Sequence, residues 1–186
     1  MLFYPPLSRL SILFFASAVL LLTIAGLVWR RTATTRVTDW FLVVLVSDAA
    51  WALTSIIPLE AGVASVAFAG QVSAVAASNV AAVSWVMFSL VYTGRGDVLT
   101  RRRLIVLTLP LLLGVGAFAT APFHPLAISN LAVTVRPTAT LLTYQLGPLS
   151  ILPTVYTLSL VSLGTGLVAW TALTDPELYA DQTIGL

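Results

Sequence analysis

Leu10-Ser-Ile-Leu-Phe-Phe-Ala-Ser-Ala-Val-Leu-Leu-Leu-Thr-Ile-Ala-Gly-Leu-Val-Trp29 holds no charged side chain, and Arg9 and Arg30 bracket it. A helix needs roughly 20 mostly apolar residues to cross a bilayer, so this stretch reads as a spanning helix. Its charges follow the apolar run, at Arg30, Arg31 and Arg36, and the run is too long for the core of a cleaved signal sequence. Four further stretches repeat the reading. Trp40 to Leu59 is broken only by Asp48. Ala61 to Gly94 is uncharged, with its helix expected near Ser65 to Tyr92. Leu104 to Ala121 carries Pro110. Pro137 to Thr174 is uncharged, and its helix is expected to start near Pro148, because proline suits the first helical turn. The expectation is an all-α integral membrane bundle with five transmembrane helices in a single membrane domain, 1–186. The spans are placed at 10–29, 40–59, 65–92, 104–121 and 148–173.

Composition agrees. Hydrophobic residues make up 59% of the 186-residue chain and charged residues 9%, where a soluble domain carries roughly 25% charge. Mean hydropathy is +1.00. Cysteine is absent and there is one histidine, so thiolate chemistry, disulfides and His-pair metal sites are excluded. A net charge of +2, scattered along the chain, does not suit nucleic acid. No Gly-rich phosphate loop, paired carboxylate or Ser-His-Asp set is present, so no catalysis and no cofactor is expected from this chain.

All nine basic residues are arginine, and their placement predicts orientation. Arg30, Arg31, Arg36, Arg95, Arg101, Arg102 and Arg103 fall in the loops after the first and third spans. Only Arg136 falls between the fourth and fifth, and Arg9 lies at the N-terminal edge. Short cytoplasmic loops are the arginine-rich ones, so the N-terminus is expected outside and the C-terminus inside. In the long outer loop, Leu131-Ala-Val-Thr-Val135 and Leu141-Leu-Thr-Tyr-Gln145 flank a Pro-bearing turn, which suggests a small β-hairpin between helices four and five. Residues 174–186 read as the truncated start of a sixth helix.

Polar groups inside the spans are the candidates for function. A charge near a helix centre costs roughly 2.5–3.5 kcal/mol on insertion scales, so Asp48 needs a partner, water or a proton. Gln71, Ser78, Trp85 and Tyr92 recur every seven residues, with Asn79 beside Ser78, and form one stripe on the third span. That stripe reads either as hydrogen bonding between helices or as the wall of a small cavity. Trp51 and Ser55 share nearly the face of Asp48 and would let the two stripes meet. Ser159, Ser162, Gly164, Thr165 and Gly166 read as close helix packing. His124, between Pro122 and Pro125, reads as a loop-ordering or pH-sensing residue.

Several segments carry a resemblance. Trp85-Val-Met-Phe88-Ser-Leu-Val-Tyr92-Thr-Gly-Arg95 resembles the end of helix three in the N-terminal seven-helix membrane region of archaeal and bacterial sensor histidine kinases. Ser47-Asp-Ala-Ala-Trp51-Ala-Leu53 is similar to that family's helix two, and Leu99-Thr-Arg-Arg-Arg103 to the start of its helix four. Pro122-Phe-His124 is similar to its Asn-Pro-x-His turn, with Ala121 where asparagine is frequent. Thr143-Tyr-Gln-Leu-Gly147-Pro148 and Val155-Tyr156 resemble the start and interior of its helix five. The likeness runs from about Leu10 to Gln182. It implies an outside N-terminus and a sensory input role coupled to a cytoplasmic PAS or kinase module. Five of the seven helices are expected here, with no kinase core following.

The leading expectation is therefore a membrane-embedded sensory domain of the histidine-kinase type, itself no enzyme. Its partners would be the lipid bilayer, a PAS/kinase module or separate partner chain, and a second copy in a homodimer. The sensing region is expected at Asp48, Trp51, Gln71, Asn79, His124 and Tyr144. The alternatives are a small carrier or channel subunit using Asp48 as its coupling carboxylate, and a non-functional remnant.

Overall fold

The computed structural model describes residues 7–33, 35–135 and 140–174. It contains five long helices, α1 (Arg9–Arg31), α2 (Arg36–Glu60), α3 (Ala64–Tyr92), α4 (Arg101–Ala119) and α5 (Pro148–Thr174). Between α4 and α5 lies a two-stranded antiparallel sheet, β1 (Ile128–Val135) and β2 (Thr140–Leu146). All five helices are long and apolar enough to cross a membrane. The five expected helices and the expected hairpin are thus present.

Helix starts follow side-chain caps rather than the edges of charge-free runs. The hydroxyls of Ser8, Thr35 and Thr100 accept from the backbone N–H groups of Ser11, Thr38 and Arg103, at 3.1, 3.2 and 3.3 Å. Each satisfies a donor that the first turn would leave orphaned. For that reason α2 begins at Arg36 and α4 at Arg101, a turn before the expected spans. The α4 helix stops at Ala119, and Ala121–Phe123 forms a single 3-10 turn instead of its last residues. At the end of α3, Gly94 takes φ +73° and the Arg95 N–H donates to the Leu90 carbonyl at 2.7 Å. A left-handed residue closing a helix in this way favours glycine.

The most buried helix is α3, and α4 and α5 are the least buried. It packs on α2, α4 and α5, while α1 packs on α2. At the centre, Ala82, Val83, Val86 and Met87 of α3 meet Leu111 and Leu160. Ala18 meets Ala49 and Ala52 where α1 lies on α2. Small residues let helix backbones approach where lipid supplies no hydrophobic drive between helices. Where α1 starts and α2 ends, Glu60 accepts from the Ser8 backbone N–H at 2.9 Å and from the Ser11 hydroxyl. Large side chains such as Leu13, Leu112 and Leu152 stay exposed, as a lipid-facing surface requires.

The hairpin begins earlier than its β-branched run, at Ile128. Its register shifts between Ser129 and Ala132, and Asn130 sits there at φ 54°. Phe118, Ala121, Ala127 and Ile128 bury together and pin the sheet against α4 and α3. Residues 136–139 of the expected turn, and the expected sixth-helix start after Thr174, lie outside the described residues. Arg30, Arg31, Arg36, Arg95 and Arg101–Arg103 all lie at the end of the bundle opposite the hairpin, and Arg9 lies at the hairpin end.

Candidate functional site

Beneath the hairpin, α3, α4 and α5 leave a cavity of about 260 Å³. From α3, Ser78 and Asn79 face it. Gly114 and Phe118 of α4 form a second wall, and Tyr144 of β2 covers the hairpin side. The Tyr144 ring stands edge-on to Phe118, with centroids 5.9 Å apart. From α5 come Ser150, Pro153, Thr154 and Thr157. The α4 and α5 walls close tightly at Gly114, where a Cβ would lie 2.6 Å from Pro153 Cβ.

Proton bookkeeping defines what the cavity offers. The hydroxyls of Ser78, Ser150 and Thr154 donate to backbone carbonyls of their own chain neighbourhood, at 2.9, 2.7 and 2.8 Å. Their protons are spent, so towards a ligand these oxygens act as acceptors. The Thr157 Oγ1 lies 3.0 Å from the Asn79 Oδ1 and 2.8 Å from the Pro153 carbonyl. A hydroxyl has one proton and serves one of these acceptors at a time. Asn79 is buried, at 8% exposure, and this is its one hydrogen bond among the described residues. Its Oδ1 is the bonded end, so Nδ2, a donor, is the end without a partner among the described residues. No described lining residue is charged. Burial pushes the Tyr144 phenol above its ordinary value, so the hydroxyl is neutral at physiological pH.

Of the six residues expected from sequence, Asn79 and Tyr144 come together in this cavity. The others do not line it. Trp51 sets its ring edge-on to Phe14 of α1, at 5.8 Å and 84°, so that residue joins α2 to α1 rather than to the α3 stripe. Asp48 is half-buried one turn away on α2, and Gln71 is half-buried on α3 two turns from Ser78. His124 sits in the loop before the sheet. Its Nε2 lies 2.9 Å from the Thr120 Oγ1, and its Nδ1 is buried without a partner among the described residues. The stripe on α3 serves two purposes. Ser78 lines the cavity, whereas Trp85 packs on α5, its Nε1 3.3 Å from the Thr165 Oγ1.

The sequence reading missed the α5 contribution. Ser150, Thr154 and Thr157 stand at i, i+4 and i+7, one helix face, and that spacing was the available sign. Comparison with curated proteins and with solved structures gave no match. The family described as the N-terminal 7TM region of histidine kinase matches residues 13–186, nearly the whole chain. With five helices able to cross a membrane and a sheet between the fourth and fifth, this multi-pass membrane protein belongs to the histidine-kinase N-terminal seven-transmembrane family.

Proposed function

We propose that this sensory region takes its stimulus in the cavity beneath the hairpin and passes it on as a change in the packing of α3, α4 and α5. The observation that carries the proposal is the cavity's construction from three spanning helices and the hairpin. An occupant that touches all four elements favours one relative arrangement of them, and a ligand shifts an equilibrium by its differential affinity for the two arrangements. The hairpin end faces the outside and the arginine-bearing end faces the cytoplasm, where a PAS or kinase module, in the same chain or a separate one, receives the change. This orientation rests on the distribution of arginine.

The test joins the chain to a cytoplasmic histidine-kinase core and reads autophosphorylation in membranes. Asn79→Leu and Tyr144→Ala should each change kinase output several-fold, with insertion and helix content unchanged. Output indifferent to both substitutions would overturn the assignment of the site. A carrier built on Asp48 would instead give proton-linked solute flux in liposomes that Asp48→Asn abolishes, and no such flux is expected.

A further inference from the structure

The cavity also restricts what can occupy it. Its buried lining is polar at Asn79 and Ser150, with 8% and 7% exposure, and apolar at Phe118 and Ala127. Its exposed lining is Leu146, Thr154 and Leu158. Of these the one hydroxyl, on Thr154, is turned back on the Ser150 carbonyl at 2.8 Å. The mouth therefore offers an apolar edge, and the interior offers hydrogen-bonding groups beside apolar walls.

Charge excludes one class of ligand. No described lining residue carries a charge, and an ion moved into such a site without a counter-charge bears a large desolvation cost. Hydrogen-bond polarity selects further. The three hydroxyls of Ser78, Ser150 and Thr154 have spent their protons on backbone carbonyls and present acceptor oxygens. The Asn79 Oδ1 accepts from Thr157, so its Nδ2 is the end left to donate to a bound oxygen. Size excludes large ligands, because about 260 Å³ falls just below the usual range for drug-sized pockets.

We infer that the cavity binds a small uncharged amphiphile, a single ring or short chain bearing a hydroxyl, which both donates and accepts. The hydroxyl accepts from the Asn79 Nδ2 and donates to one of the acceptor oxygens of Ser78, Ser150 and Thr154, and the apolar end points to the Leu146–Leu158 mouth. The inference rests on the cavity being the stimulus site and adds the class of molecule that fills it.

Three fluorinated probes of one shape separate the determinants: 4-fluorophenol, 4-fluorotoluene and 4-fluorobenzoate. Binding to the purified chain in lipid nanodiscs is read by 19F NMR, with protein-free nanodiscs as the reference for partitioning into lipid. The phenol should bind saturably and about tenfold or more tighter than the toluene, because a site built to hydrogen-bond a hydroxyl rejects the analogue that lacks it. The benzoate should show no saturable binding. Asn79→Leu should weaken the phenol about tenfold and narrow its advantage over the toluene. Ser78→Leu, which fills the space from a neighbouring position, should weaken both neutral probes together, with circular dichroism confirming an unchanged helix content for each variant.

Equal behaviour of the phenol and the toluene would overturn the inference, and so would a phenol signal no greater than that of protein-free nanodiscs. A phenol affinity unaffected by both substitutions would do the same. The kinase-output experiment separates this failure from failure of the sensory reading. Output that responds to Asn79→Leu without phenol binding leaves the site in place and removes the ligand class. Phenol binding with indifferent output does the reverse.

Discussion

Trp85 reaches α5 because position 164 carries no side chain. A Cβ built there would lie 2.7 Å from the indole Cδ1 and 2.8 Å from its Nε1, closer than such atoms approach. Gly164→Ala forces the indole away and breaks its 3.3 Å contact with the Thr165 Oγ1. Overpacking of this kind costs about 1–3 kcal/mol, and unfolding of the purified chain in mixed micelles should show a loss of that size. Gly166 is the matched control. It lies in the same helix with open space at its Cβ, so Gly166→Ala should stabilise by up to about 1 kcal/mol through helix propensity alone. A loss at both positions would show that the helix backbone, rather than the Trp85 contact, sets the requirement at 164.

The hairpin raises the corresponding question for an element. Its register shift falls at Asn130, which takes φ 54° and donates from Nδ2 to the Gln145 Oε1 across the sheet at 2.9 Å. Asparagine tolerates the left-handed region, whereas a β-branched residue bears about 1–2 kcal/mol there. Asn130→Val should therefore loosen the sheet, and Asn130→Gly should keep the backbone while losing only the cross-strand bond. Backbone amide exchange of β1 and β2 checks this, with faster exchange in the valine variant than in the glycine variant. The two β-branched runs made the hairpin legible in the sequence. Its start at Ile128 was not, because pairing there depends on burial of Ala127 and Ile128 against Phe118, a contact between segments. The helices were legible for the converse reason. Length and apolarity alone decide that a segment spans a bilayer; what escaped was mainly where α2 and α4 begin, since Thr35 and Thr100 cap helices that run through arginine, and where α4 stops, at Ala119. Periodicity on one helix marked Ser78, with Asn79 noted as its neighbour, and Asn79 is the buried one of the pair. Periodicity could not choose between two neighbours for Trp51, because α2 is flanked by both α1 and α3, and the ring lies against Phe14. The α5 wall of the cavity was hidden by the same limit, as Thr157 gains its meaning only beside Asn79.

At the scale of the molecule, the arrangement of charge decides how the bundle sits. Seven arginines lie at the end opposite the hairpin, and only Arg9 among the described residues lies at the hairpin end. Arginine-rich short loops resist translocation, and this bias sets orientation when the imbalance is large. The hairpin, and with it the cavity, should therefore face the outside. The chain contains no cysteine, so a single introduced thiol is the sole target for a maleimide. Phe123, at 87% exposure beside the hairpin, and Asp97, exposed in the turn between α3 and α4, report the two ends. In intact cells, a membrane-impermeant maleimide should label Phe123→Cys and leave Asp97→Cys unlabelled, and permeabilisation should make both reactive. The reverse pattern would put the cavity mouth nearer the cytoplasmic leaflet, and a stimulus from outside would then have to cross the membrane to reach it. Labelling of both sites in intact cells would mean two orientations in one population. In that case the arginine imbalance would be too weak to fix the topology, and output from a cytoplasmic kinase core would come from only part of the molecules.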